Sequence, residues 1–147
     1  MKAPTIYLSF SGHCEEAFNH YAKALGGTIF LKTYYCDMPP SPDYPPVAEE
    51  HHDMIMHLTM ELRDGTVMQG SDRAPGFGAP LQQGDNFSIS IQADSNREAD
   101  LIYSALAQDG TVTMPLQVTF WGAYFGTCRD KFGVNWMIAC NADTPQS

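Results

Sequence analysis

The chain states one structural phrase twice. Residues 7–28 and 88–111 each read as a short alternating strand, a turn, a helix opening on Glu-Ala, a helix tyrosine, a glycine and a second strand. Glu16, Ala17 and Tyr21 correspond to Glu98, Ala99 and Tyr103. Further on, Arg63-Asp64-Gly65 corresponds to Arg129-Asp130-Lys131, each followed by an apolar strand. Two copies of a small βαβββ unit can fold against each other, and the surface between them is a natural place for a ligand.

The strand signals are alternations. Ile6, Leu8 and Phe10 point one way, Tyr7 and Ser9 the other. A helix is predicted from Gly12–His13 to Gly26-Gly27, with Ala17, Tyr21, Ala24 and Leu25 on one buried stripe. Strands follow at 28–35, at 53–62 and, after a turn at Arg63-Asp64-Gly65, at 66–70. On the third strand Met54, Met56, Leu58, Met60 and Leu62 form one face; Ile55, His57, Thr59 and Glu61 form the other. In copy two, Phe87, Ile89 and Ile91 alternate with Ser88 and Ser90, and Ser95 with Glu98 forms a capping box. Strands are predicted at 111–114, within 119–128 and at 133–140. The fold class is therefore α+β, a tandem βαβββ arrangement in a cupped mixed sheet. The 147 residues form a single domain, with module one at about 1–72, a linker at about 73–84 and module two at about 85–143.

One segment breaks the symmetry. Residues 38–46 hold five prolines, and Glu49, Glu50, His51, His52 and Asp53 follow. Such a stretch cannot be helix or central strand, so it is a loop inserted into copy one. His51-His52 beside acids offers a metal grip; a solvated loop is the alternative.

Charge narrows the partners. Formal net charge is -9, with Lys+Arg 8 against Asp+Glu 17, which repels a phosphate backbone and argues against nucleic acid. No apolar run reaches membrane-spanning length, and the strand beginning near Thr5 leaves no room for a signal peptide, so a cytoplasmic protein without a membrane partner is expected. Cys14, Cys36, Cys128 and Cys140 form no C-x-x-C pair and no zinc spacing. Cys14 lies near a helix start, where the macrodipole lowers a thiol pKa, but no base accompanies it.

The segment Thr119-Phe120-Trp121-Gly122-Ala123-Tyr124-Phe125-Gly126 is followed by Asp130-Lys131-Phe132-Gly133-Val134-Asn135-Trp136-Met137-Ile138. Together with Tyr7–Ala17 and Ser71-Asp72, it closely resembles the PhnB-like branch of the vicinal oxygen chelate (glyoxalase/bleomycin-resistance) superfamily, over nearly the whole chain. The resemblance implies paired βαβββ modules curled into a cup. In metal-dependent members it also implies one metal ligand on the first and one on the fourth strand of each module, usually His, Gln or Glu. Carried onto this chain, those places fall at Ile6 or Tyr7, at Gln69, at Phe87 or Ser88, and at Met137. Only Gln69 is a plausible ligand for a divalent cation, with Tyr7 a remote second; Met137 is a soft thioether. The four-ligand site is thus expected to be missing, and no cofactor is expected. A methyltransferase label, common in this branch, finds no Gly-rich nucleotide loop to rest on.

The residues left facing the cup form the candidate pocket. They are Tyr7, Ser9, His57, Thr59, Gln69 and Ser88, with Trp121, Tyr124 and Phe125 as aromatic walls. The aromatic cluster has a rival role in the core or a dimer interface. His57 is the candidate general base. The alternative is a metal enzyme, a lyase, isomerase or dioxygenase with a shifted site at His57, Glu61 and Gln69. His57 and Glu61, four residues apart on a strand, stand roughly 13 Å from each other. A homodimer with an unidentified small-molecule ligand is expected; a dimeric interaction module is the third reading.

Overall fold

The computed structural model describes residues 1–141. They divide into two compact units, the first ending at Gln82 and the second beginning at Gln83. The expected end of module two at residue 143 lies outside the described residues.

Unit one runs β1 (Ile6–Phe10), α1 (Cys14–Leu25), β2 (Thr28–Tyr34), β3 (Ile55–Glu61) and β4 (Val67–Asp72). Its four-stranded sheet has the order β1-β4-β3-β2, with β1 parallel to β4 and the other pairs antiparallel. Unit two repeats this plan as β5 (Ile89–Gln92), α2 (Asn96–Ala107), β6 (Thr111–Val118), β7 (Tyr124–Arg129) and β8 (Asn135–Cys140). Its order is β5-β8-β7-β6, again with one parallel pair. The α+β class and the βαβββ repeat are thus as the alternation predicts. Among the described residues no helix is long and apolar enough to cross a membrane.

Each helix lays its apolar stripe on one face of its own sheet. In unit one Ala17, Phe18 and Tyr21 are buried with Leu8, Phe10, Leu58, Met60 and Met68. In unit two Ala99, Tyr103 and Leu106 are buried with Ile89, Cys128, Trp136, Ile138 and Cys140. Gly70 makes the first packing close: a Cβ there would lie 2.5 Å from the Phe18 ring and 2.9 Å from the Leu8 carbonyl. α1 ends at Gly26 in the left-handed region (φ 72), which the sequence signals.

Several boundaries and faces differ from expectation. β3 begins at Ile55, and Ile55 is fully buried rather than beside His57 on the open face. The pairing with β2 slips between Thr33 and Tyr34, so strict alternation fails at that end. Phe87 precedes β5 and is 59% exposed, not packed under a helix. β6 continues through Pro115 to Val118; as the edge strand it tolerates the missing N–H, with register shifts on either side of Met114. In the α2 cap the Ser95 hydroxyl accepts from the Glu98 amide, but the Glu98 carboxylate accepts from Asp94, one residue before the cap.

The repeat is also offset from its sequence reading. The β3–β4 turn closes with Gly65 N–H donating to Leu62 O, and the β7–β8 turn with Gly133 N–H donating to Asp130 O. Leu62 therefore corresponds to Asp130, and Gly65 (φ 88) to Gly133 (φ 90). Only positive φ closes these turns, so the glycines, not the Arg-Asp pairs, are the matching positions.

Candidate functional site

Each sheet has a face that its helix leaves uncovered. In unit one β-pairing aligns Tyr7 with Gln69, Gln69 with Thr59, and Thr59 with Leu31, a row straight across that face. His57 lies two residues before Thr59 and pairs with Thr33. Its ring stacks on Tyr7, with centroids 5.9 Å apart and planes at 29°. The Tyr7 hydroxyl lies 3.4 Å from His57 Nδ1, and His57 Nε2 lies 3.1 Å from the Thr59 hydroxyl. A phenol, an imidazole and a hydroxyl thus form a short polar chain, with the Gln69 amide in the same row. Tyr7 is 49% exposed, His57 and Gln69 are half-buried, and Thr59 is buried. Ser9 lies half-buried on the same face, paired with Ser71. With both imidazole nitrogens engaged, the exposed Tyr7 hydroxyl and the half-buried Gln69 amide are the groups of this row left to meet a ligand.

Unit two builds the equivalent face from other chemistry. Its row is Ser90, Met137, Thr127 and Met114. Ser90, not Phe87 or Ser88, therefore stands where Tyr7 stands in unit one; Ser88 is exposed and precedes β5. Phe125 precedes Thr127 by two residues, as His57 precedes Thr59, and is half-buried.

The expected aromatic wall is not one wall. Tyr124 shares its strand face with buried Gly126 and Cys128, and its hydroxyl donates to Asp100 on α2 at 2.5 Å. That hydrogen bond to a carboxylate raises the phenol pKa, and burial adds to the rise. Trp121 sits at the tip of the β6–β7 hairpin, 57% exposed, beside Phe120, which is 98% exposed. Trp121 meets Phe125 edge-on at 5.9 Å.

In unit one the paired β1 and β4 positions hold Tyr7 and Gln69, a hydroxyl and an amide. In unit two the paired β5 and β8 positions hold Ser90 and Met137, a hydroxyl and a soft thioether. Glu61 is exposed at the far end of β3, paired with Thr28 and Val67. Among the described residues no three His, Cys, Asp or Glu side chains gather to hold a metal. His51 pairs with Glu50 at 3.5 Å, while His52 Nε2 lies 3.0 Å from the Val47 carbonyl.

Two buried carboxylates went unsignalled in the sequence. Asp72 accepts from the amides of Gly12 (2.8 Å), Cys14 (3.0 Å) and Ile55 (2.8 Å), fixing the start of α1 and of β3. Asp130 accepts from Phe132 (2.8 Å), Val134 (3.0 Å) and the Trp136 indole (2.9 Å). Both are structural. Cys14, the candidate thiol at the helix start, is fully buried. Burial first, then Asp72 and Glu15, push its pKa up, against the expected helix effect.

The profile of the Glyoxalase/Bleomycin resistance protein/Dioxygenase superfamily matches residues 6–138. The chain belongs to that superfamily. Within it, the chain is 31% identical over 137 residues to the protein YjdN of Escherichia coli (strain K12), covering 90% of each. It is similar to the crystal structure of protein PA1353 from Pseudomonas aeruginosa, at TM-score 0.83 and 37% identity, covering 96% of this chain and 98% of that one. It is also similar to the PhnB protein from Bacillus cereus, at TM-score 0.76 and 25% identity, covering 95% and 99%. These likenesses place it in the PhnB-like branch of the superfamily.

Proposed function

We propose that the protein binds a small organic molecule through the helix-free face of unit one, without the superfamily's four-ligand metal site. The observation that carries this is the Tyr7–His57–Thr59 chain in register with Gln69 on one face of unit one. Polar groups converging on one face suit a ligand with a polar head. His57, the candidate general base, would reach such a ligand through the Tyr7 hydroxyl that it contacts. Among Tyr7, Gln69, Ser90 and Met137 only Gln69 is a usual ligand of a divalent cation, which speaks against Lewis-acid chemistry. A thermal-shift screen of metabolites tests the reading. Ligands that raise the melting temperature of the wild type must lose that effect in His57→Ala and Thr59→Val. Hits that survive both substitutions contradict it.

A second reading concerns assembly. Val112, Met114, Val118, Phe120 and Trp121 are all exposed on β6 and its hairpin. Such a surface supports a homodimer. Light scattering on the wild type and on Trp121→Ala tests it; a monomer at all concentrations overturns it.

A further inference from the structure

The proline-rich insert is built rather than slack. Tyr35 N–H donates to the Met54 carbonyl (3.0 Å) and Cys36 N–H to the His52 carbonyl (3.1 Å), so its two ends are zipped beyond β2 and β3. The Tyr35 hydroxyl donates to the Asp72 carbonyl at 2.8 Å. Phe77 backs the insert from the following loop: its ring meets Tyr35 edge-on at 5.1 Å and stacks on Tyr44 at 6.3 Å with planes at 14°. Gly76 abuts Pro45 so closely that a Cβ there would lie 3.3 Å from the Pro45 ring.

Inside this frame lies a cavity of about 400 Å³. Its lining includes Tyr35, Tyr44 and Val47, four prolines, and Cys36 and His52. None of Tyr7, His57, Thr59 or Gln69 lines it. The volume is that of a small-ligand pocket, and the insert, with single 3-10 turns at Tyr35–Asp37 and Glu49–His51, is a long loop of the kind that is commonly functional. Tyrosine and proline faces favour a flat ring. The charge around them has one sign: residues 37–53 hold Asp37, Asp43, Glu49, Glu50 and Asp53 and no Lys or Arg. The cations on neighbouring segments are engaged elsewhere, Lys32 with Glu15 at 2.6 Å and Arg73 with the Ala79 carbonyl at 3.0 Å.

We propose that the insert forms a second ligand site, separate from the open face of the sheet, that takes a planar aromatic cation. The ring lies against Tyr44 and the prolines, and the positive charge is held by the tyrosine faces and the surrounding carboxylates.

The experiment uses the full chain and the aminoacridine proflavine as probe, followed by its fluorescence. One saturable site per chain is expected. Tyr44→Ala should weaken it about tenfold, and Tyr44→Phe should retain it. His57→Ala should leave it unchanged, which separates this site from the one proposed above. Cys36, the one exposed cysteine of the four, gives a local readout: bound proflavine should slow its reaction with a maleimide. That protection in the wild type decides the matter even if a Tyr44 variant folds poorly. No saturable binding, equal binding of the anion anilinonaphthalene sulfonate, indifference to Tyr44→Ala, or an unprotected Cys36 would each overturn the proposal.

Discussion

Across the helix-free face of unit one the row reads Tyr7, Gln69, Thr59, Leu31; in the same register of unit two it reads Ser90, Met137, Thr127, Met114. The threonine on the third strand is the one identity. Where unit one has His57, unit two has Phe125. The helix faces diverge in the opposite sense. Gly70 makes room for Phe18 in unit one, whereas Ile138 fills the corresponding place in unit two. The helix position matching Phe18 is Asp100, which turns outward to accept from Tyr124. Duplication conserved the backbone register, and each copy solved packing and surface chemistry separately. On these faces the phenol, the imidazole and the amide all lie in unit one.

The largest expected effect comes from exchanging the packing solutions. Ile138→Ala should cost about 2–5 kcal/mol, because a fully buried side chain leaves a cavity. Gly70→Ala should cost less, about 1–3 kcal/mol, since the Phe18 ring can shift but the Leu8 carbonyl cannot. Denaturant unfolding of both variants checks the order; a Gly70→Ala variant as stable as wild type would break the contrast.

The open faces should respond the other way. His57→Ala and Phe125→Ala both touch half-buried side chains. His57→Ala should remove ligand-induced stabilisation while changing intrinsic stability by only about 0.5 kcal/mol. Phe125→Ala, in the other unit, should leave that stabilisation in place. Equal loss in both would mean that the polar copy has no special part.

The thiols give a smaller contrast. Native protein should react with a thiol reagent at Cys36 alone, and unfolded protein at all four cysteines. Burial raises the Cys128 pKa from 9.0 to about 11, with Asp130 adding to it, and raises that of Cys14 as well. The unfolded chain therefore loses these protons first. Stability is intact below about 9 and falls as pH rises toward about 11. The denaturation midpoint should drop over that range, and less steeply in Cys128→Ala.

Much of this was legible in the sequence because the repeat is carried by patterns with local causes. The Gly26 helix stop, the Ser95 cap and the period-two strands each follow from backbone chemistry. So does the face assignment of Tyr7, His57, Thr59 and Gln69. What escaped was set at a distance. The slip near Thr33 buries Ile55, and only the β2–β3 pairing reveals it. Tyr124 lies on the helix side of its sheet, where its hydroxyl donates to the exposed Asp100 on α2. Asp72 and Asp130 look like surface residues until the amides they accept from are seen. The resemblance of the turns was misaligned because Arg and Asp are conspicuous letters, whereas the constraint lies on Gly65 and Gly133.

Elemental analysis of tag-free protein, purified without chelator, tests most directly whether unit one's polar face binds its ligand without a chelated metal. The account predicts far less than one equivalent of zinc, manganese, iron or nickel per chain, and ligand binding unchanged after dialysis against a chelator. About one tightly held equivalent, lost together with binding in His57→Ala or Gln69→Ala, would contradict it.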